Sequence, residues 1–327
     1  MVHYRNRNTA ENNLSEILND YLRELDFKVQ HPDELMGLSI GFDNLDKRLD
    51  GLCNGEVILI GGRPAMGKTT FALNIAYNMA SNFYLQKQQN PEDDKCVVFI
   101  SLELAKKRFA ERLISIVSEV PTYQMRNNED VWENFSKIVA TSRQLEKLPL
   151  NLYATECNVE NIITELQKIR QQKEIGCVII DYLQLLSRDY MEQEDLTGIM
   201  IEIKNMAVAF NVPVIVLTQL SRNLEKRADK FPLLCDIRGL YSNLNAVDKV
   251  LFLYWEYYYI INNEPRKRPK ETDEKFQKRH DKWNTLCKET QNFCDVIIAK
   301  NSNGYSGRVK MFFEWWTGSF EDWKDGY

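Results

Sequence analysis

The residues Gly62-Arg63-Pro64-Ala65-Met66-Gly67-Lys68-Thr69 match the pattern G-x-x-x-x-G-K-[ST]. An apolar run, Val57–Ile60, precedes them and an amphipathic stretch, Thr69–Ala80, follows. That strand-to-helix setting is what a phosphate-binding loop requires. Its backbone N–H groups close around phosphate oxygens at a helix N-terminus, where the dipole also favours negative charge. Lys68 is expected to reach the β- and γ-phosphates, and the Thr69 hydroxyl to take one position on Mg²⁺. Gly62, Arg63, Pro64, Ala65, Met66, Gly67, Lys68, Thr69 and Thr70 together are expected to hold a nucleoside triphosphate.

Such a site also needs an acid for the metal and a group that positions or deprotonates water. Val178-Ile179-Ile180-Asp181 places a carboxylate at the end of a second apolar run, where Mg²⁺ would sit. Val97–Ile100 leads through Ser101 and Leu102 to Glu103, a position suited to a general base. Val214–Leu217 leads to Thr218-Gln219, whose amide could sense the γ-phosphate. Taken alone, Asp181 also reads as a turn cap and Gln219 as an ordinary edge residue. Four strand ends carrying Lys68, Glu103, Asp181 and Gln219 together are far less readily explained by chance.

These groups need a frame. Apolar runs at 57–60, 97–100, 178–180, 214–217, 250–254 and 296–299 are rich in Val and Ile. Helical patterns at 69–80, 106–120, 159–173 and 196–210 lie between several of them. Strands buried on both faces and joined by helices predict an α/β fold, a mainly parallel central sheet flanked by helices. Late in the chain, Val296–Ala299 and Arg308–Phe313 predict a β-hairpin around Asn303-Gly304. Near the start, Leu14, Ile17, Leu18, Tyr21, Leu22 and Leu25 share one helical face. This predicts a helix over about 12–27 within an N-terminal arm, 1–36, that either packs on its own domain or lies on a neighbouring subunit. Residues 37–327 then form one domain with a charged insertion at about 264–288, half of it helical. Glu264 to Lys288 carries nine Lys/Arg against five Asp/Glu. A solvated face is the simpler reading, and a nucleic-acid or partner contact the alternative.

A chain of 327 residues, 44% hydrophobic, can bury a substantial core without covalent staples. Lys+Arg 42 against Asp+Glu 47 gives a net charge of -5, so any nucleic-acid binding must come from local loops. Seven cysteines without a C-x-x-C pair and three scattered histidines argue against zinc and for free thiols in a reducing compartment. Cys96 and Cys177 open apolar runs and read as buried. No run approaches the roughly 18 apolar residues of a membrane span, so a cytoplasmic protein without membrane contact is expected.

Further motifs keep a fixed order. They are Gly37-Leu38-Ser39-Ile40-Gly41-Phe42, Asp181-Tyr182-Leu183-Gln184-Leu185, Asn211-Val212-Pro213-Val214, Gln219-Leu220-Ser221-Arg222, Asp236-Ile237-Arg238 and Ala299-Lys300-Asn301-Ser302-Asn303-Gly304. Over roughly residues 37–320 the chain resembles the ATPase domain of DnaB-type replicative DNA helicases. The resemblance implies a RecA-like P-loop fold that hydrolyses ATP with Mg²⁺ at the subunit interfaces of a homo-oligomer. It implies a ring, usually hexameric, moving along single-stranded DNA, with a loader or other replication protein as a further partner. By position it makes Glu103 the catalytic carboxylate, Asp181 the metal acid and Gln219 the γ-phosphate-coupled residue. It places Arg238 in a DNA-contacting channel loop, and the Leu14–Leu25 helix where the family's linker helix docks on the adjacent subunit. With about 36 residues before Gly37, the family's N-terminal primase-binding domain is expected to be missing.

Two departures stand out. The family has Lys-x-Arg-Asn-Gly, whose Arg is a trans-acting arginine finger, where this chain has Lys300-Asn301-Ser302-Asn303-Gly304. Such a finger is worth on the order of 10³–10⁵ in rate, and a hydroxyl cannot replace a guanidinium. Lys300 and Arg308 are left as trans-acting candidates. In the channel loop the family's Asp-Leu-Arg-Glu-Ser-Gly is replaced by Asp236-Ile237-Arg238-Gly239-Leu240-Tyr241, where Tyr241 either stacks on a base or packs inside the loop. Both changes leave a second reading open: an ATP-binding assembly or regulatory module that does not unwind and in which ATP is structural.

Overall fold

The computed structural model describes residues 14–154, 158–186, 196–240 and 244–324. In chain order the elements begin α1 (Leu14–Gln30), α2 (Asp43–Leu49), β1 (Val57–Gly62), α3 (Lys68–Gln89), β2 (Lys95–Ser101), α4 (Lys106–Ser118) and α5 (Asn128–Leu145). They continue β3 (Leu150–Ala154), α6 (Val159–Arg170), β4 (Glu174–Asp181), α7 (Leu196–Phe210), β5 (Val214–Gln219) and β6 (Lys249–Tyr254). The last are α8 (Glu256–Ile261), α9 (Asp273–Thr290), β7 (Phe293–Asn301), β8 (Gly307–Glu314) and β9 (Ser319–Asp322).

Among the described residues nine strands join one sheet in the order β3-β2-β4-β5-β1-β6-β7-β8-β9. The first six run parallel, and β7, β8 and β9 add antiparallel pairs. This is the RecA-like α/β architecture expected above, with the hairpin turning between Asn301 and Gly307. Side chains alternate across each strand. Ile58, Ile60, Phe99, Ile179, Ile215 and Leu217 meet α3 and α4 on one face. Val57, Leu59, Val98, Ile180, Val214 and Val216 meet α6 and α7 on the other. Burying a side chain of this kind is worth about 1.5–3 kcal/mol, so continuous Val/Ile runs favour a two-sided central strand. Cys96 and Cys177 are buried in this core.

Several elements carried too weak a pattern to be read from sequence. β3 is an edge strand whose residues are all half-buried, and β9 has four residues. α2 has no side-chain cap of its own. The Asp322 carboxylate at the end of β9 instead accepts from the Asp43 and Asn44 N–H groups at 2.6 and 3.1 Å, a cap supplied from far along the chain. The helical face read near the start lies on α1, where Leu14, Leu18, Tyr21, Leu22 and Leu25 are all exposed. Lys28 of α1 pairs with Asp50.

Candidate nucleotide-binding site

β1 delivers its C-terminal end into the loop 63–67, and Gly67, at φ 80°, starts α3. A left-handed residue here lets the chain reverse into the helix without a side-chain clash. Register sets the rest of the site. Gly62 pairs with Gln219 across β1 and β5, and Ser101 with Asp181 across β2 and β4. The Leu102 N–H donates to the Asp181 carbonyl at 2.7 Å, and the Leu104 N–H donates to Ser101 Oγ at 3.0 Å. That tight turn holds Glu103 at the edge. The peptide between Asp181 and Tyr182 is cis.

Lys68, Thr69, Thr70, Glu103, Asp181 and Gln219 line one cavity of about 450 Å³, with Pro64, Ala65 and Gly67 at its base. Burial lowers the Lys68 ammonium to about 8, although Asp181 and Glu103 hold it up. Lys68 Nζ donates to the Arg63 carbonyl at 3.1 Å. Burial raises the Asp181 carboxyl to about 6, against a hydrogen bond from Thr69. Glu103 adds to that rise, whereas Lys68 and Arg112 oppose it. Asp181 Oδ2 is buried with no hydrogen-bond partner among the described residues. A buried carboxylate oxygen left without a donor is costly. Together with the Thr69 hydroxyl it forms a donor set that fits a hard divalent cation.

For two residues the structure restricts the sequence expectation to the backbone. The Arg63 side chain turns away from the cavity, donating through Nε to Glu225 and through Nη1 to the Leu220 carbonyl, both at 2.8 Å. Met66 is buried beneath the loop, where its Sδ accepts from the Trp255 N–H at 3.4 Å. Gly62 packs against the Lys68 side chain and the Leu253 carbonyl.

The role of Gln184, a residue of the Asp181–Leu185 motif, and the presence of Arg112 in the cavity escaped the sequence. Gln184 Nε2 donates to Thr218 Oγ1 at 2.8 Å and to the Gln219 carbonyl at 3.3 Å, while its Oε1 accepts from the Gln219 N–H at 3.3 Å. It thereby positions Gln219. Arg112 of α4 lines the cavity, as do Trp255, Phe313 and Trp315. A polar position between Phe109 and Leu113 on an amphipathic helix was the available signal for Arg112, and it resembles any solvated residue.

Past Gln219 the chain is tied to the Arg238 loop. Leu220 bridges Ile237, and the Ser221 N–H donates to the Asp236 carbonyl at 2.7 Å. Arg227 pairs with Asp236 at 3.0 Å, and Arg238 itself is exposed. Gly239 has φ +80°, and a Cβ there would meet Leu196 at 2.6 Å, so this loop needs glycine at that position. Tyr241 lies outside the described residues.

Lys300 and Ser302 lie at the opposite sheet edge, because β7 runs antiparallel to β6. Lys300 Nζ donates to the Leu244 and Val247 carbonyls at 2.8 and 2.6 Å. Ser302 Oγ donates to the Asp248 carbonyl at 2.9 Å. Arg308 lies 3.6 Å from Asp295 and over the Phe231 ring.

The fold and this cavity define a P-loop nucleotide-binding protein of RecA-like architecture, and comparison with known proteins narrows the class. The DnaB-like helicase C-terminal domain family matches residues 37–322, and the chain belongs to that family. It is 30% identical over 301 residues to the replicative DNA helicase DnaB of Rickettsia bellii, covering 91% of this chain and 60% of that protein. The chain thus spans about three-fifths of the length of such relatives. A solved structure of an isolated ATPase domain superposes with a TM-score of 0.75 at 28% identity, covering 94% of this chain and 99% of that one. A DnaB-like replicative helicase whose structure was described with its primase interactions gives 0.74 at 28% identity, covering 94% and 67%. Among the described residues no helix is long and apolar enough to cross a membrane.

Proposed function

We propose that this chain is the ATP-hydrolysing motor domain of a DnaB-type DNA helicase. The observation that carries the reading is the arrival of Lys68, Glu103, Asp181 and Gln219 from separate strand ends at one cavity beside a phosphate-binding loop. The loop N–H groups and Lys68 bind the phosphates of ATP, and the water-facing Glu103 takes a proton from the attacking water. The water oxygen bonds to the γ-phosphorus as the bond to the ADP oxygen breaks. Thr69 and Asp181 would hold Mg²⁺, which supplies charge neutralisation at the phosphate oxygens. Trp255, Phe313 and Trp315 line the same cavity and offer the adenine ring apolar contacts.

Gln219 hydrogen-bonds the γ-phosphate, and the next two residues carry its movement to Ile237 and Asp236. Arg238 then grips or releases the backbone of single-stranded DNA. The exposed stripe of α1 suits docking on an adjacent subunit of a homo-oligomer, most simply a hexameric ring. Lys300, at the edge away from the phosphate loop, and Arg308, level with Gly61 across the sheet, are the trans-acting candidates such a ring would offer a neighbour, and Lys300 would have to leave the Leu244 and Val247 carbonyls to act. A loader or other replication protein and a cytoplasmic location complete the reading.

ATPase assays with and without single-stranded DNA test it. DNA-stimulated turnover that is lost in Lys68→Ala and Glu103→Gln is the expected result. Tight ATP binding with no turnover on any DNA would instead make ATP a structural ligand. A monomer in the presence of ATP, Mg²⁺ and DNA would overturn the ring.

A further inference from the structure

Residues 264–288, between β6 and β7, contribute nothing to the lining of the nucleotide pocket, yet they form a built element. α9 is capped by Thr272, whose hydroxyl accepts from the Lys275 N–H at 3.4 Å. Trp283 Nε1 donates to the Ile260 carbonyl at 2.8 Å and fastens α9 to α8. Phe276 and Trp283 are half-buried and Cys287 is buried, so this face of α9 turns inward.

Its charges are unevenly used. Arg279 grips Glu271 with two hydrogen bonds of 2.8 Å and donates to the Arg266 carbonyl at 2.9 Å. That contact holds the Glu271 carboxyl down at about 2. Asp273 pairs with Lys267, and Glu264 lies 3.2 Å from His280. Three of the five acids therefore have basic partners within the insertion. Lys275, Lys278 and Lys282, by contrast, are exposed and have no carboxylate partner among the described residues. Spaced i, i+3 and i+7, they form one row along α9. The clamp of Arg279 on Glu271 and Arg266 fixes the exposed Arg266, Arg268 and Lys270 close to that helix.

The position also matters. β6 runs parallel to β1, so the insertion leaves the sheet at the same edge as the phosphate loop and the Arg238 loop. Tyr259 of α8 stacks on Tyr254, which stacks on Phe231 in the segment leading to Arg238. A net excess of four positive charges thus stands on one exposed element of a chain whose net charge is -5. Phe276, Trp283 and Cys287 face inward and Leu286 alone of the large apolar residues of α9 is exposed, so the row of unpaired cations suits a phosphodiester backbone better than a peptide, which would need an apolar contact core.

We propose that the α9 insertion is a second nucleic-acid contact, in which Arg266, Arg268, Lys270, Lys275, Lys278 and Lys282 bind the phosphate backbone independently of its sequence. The proposal rests on the nucleic-acid reading above and extends it beyond the Arg238 loop. The test is fluorescence anisotropy of the full chain with labelled oligo-dT and with a duplex, over a range of salt. Lys275→Gln/Lys278→Gln/Lys282→Gln is expected to lower the slope of log affinity against log salt by about 2 on single strands. Lys275→Arg/Lys278→Arg/Lys282→Arg should keep the parent slope, and unchanged melting temperatures would show that both variants fold. A loss confined to one probe assigns the strand form that the insertion holds. An unchanged slope on both probes, while Arg238→Ala weakens binding, overturns this proposal and leaves the helicase reading standing. Loss of polyglutamate binding with DNA binding intact would also overturn it, in favour of an acidic protein. Failure of the parent chain to bind either DNA would sink both readings.

Discussion

The two edges of the parallel sheet use polar groups in opposite ways. At the nucleotide edge, Asp181 keeps a buried oxygen without a donor among the described residues, and Lys68 and Asp181 are both displaced toward their neutral forms by burial. At the hairpin edge the polar groups are satisfied within the chain. Glu56 accepts from buried Lys249, from the Cys53 N–H and from Asn303, while Ser302 and Lys300 bind the carbonyls of Asp248, Leu244 and Val247. The first edge holds unsatisfied groups that a ligand can complete, at a cost in stability. The second holds a closed network that anchors a turn. Polar residues brought together by a fold therefore divide into reactive and structural sets by whether their partners are already present.

The largest effect should separate the edges most sharply. Glu103→Gln is expected to lower DNA-stimulated ATP turnover by about 10²–10⁴ while ATP still binds, as measured by steady-state rates beside equilibrium binding. A loss below tenfold would remove Glu103 as the base.

Next in size is the closed network. Glu56→Ala leaves the fully buried Lys249 ammonium uncompensated and is expected to cost about 3–5 kcal/mol in denaturant unfolding. A cost near zero would mean that the network does not anchor this edge.

Asp181→Asn should act in the other direction on the protein without nucleotide. The folded-state value of about 6 lies above the ordinary 3.8, so between these values the folded protein binds more protons than the unfolded chain. Stability accordingly falls as pH rises through that window and stays lowered above it. The variant escapes this penalty and is expected to gain up to about 3 kcal/mol at pH 7.5, with no gain below about pH 4. Thermal unfolding across pH measures it, and a variant less stable at pH 7.5 would contradict the strained-acid account.

The smallest effect belongs to the turn. Ser302→Ala removes one hydroxyl bond to a backbone carbonyl and should cost about 0.5–1.5 kcal/mol in unfolding. A cost well above that range would mean that Ser302 bears more of the hairpin's stability than its one side-chain bond accounts for.

Much of the nucleotide edge was legible in the residues. The phosphate loop, the Val/Ile strands and the acids at their ends are contiguous patterns, and hydrophobic alternation reports burial directly. The sheet order was not legible, nor were β3, α2 and β9, because an edge strand or a short helix lacks a two-sided core to impress on its composition. Arg63 and Met66 show the limit within a motif. Their spacing places the backbone, whereas their side chains answer to Glu225, Leu220 and Trp255.

By itself the residue order determined the chemistry of this protein: a lysine and a hydroxyl after a glycine loop, and two carboxylates and an amide after apolar runs. Those signals are local, set by backbone period and by side-chain type. Tertiary structure alone decided which polar groups remain available. Glu56 and Lys249 are 193 residues apart and Gln184 and Gln219 are 35 apart, and no short-range pattern can pair them. Packing brings such residues within hydrogen-bond reach, and the desolvation that accompanies it sets whether each is consumed or left for a ligand.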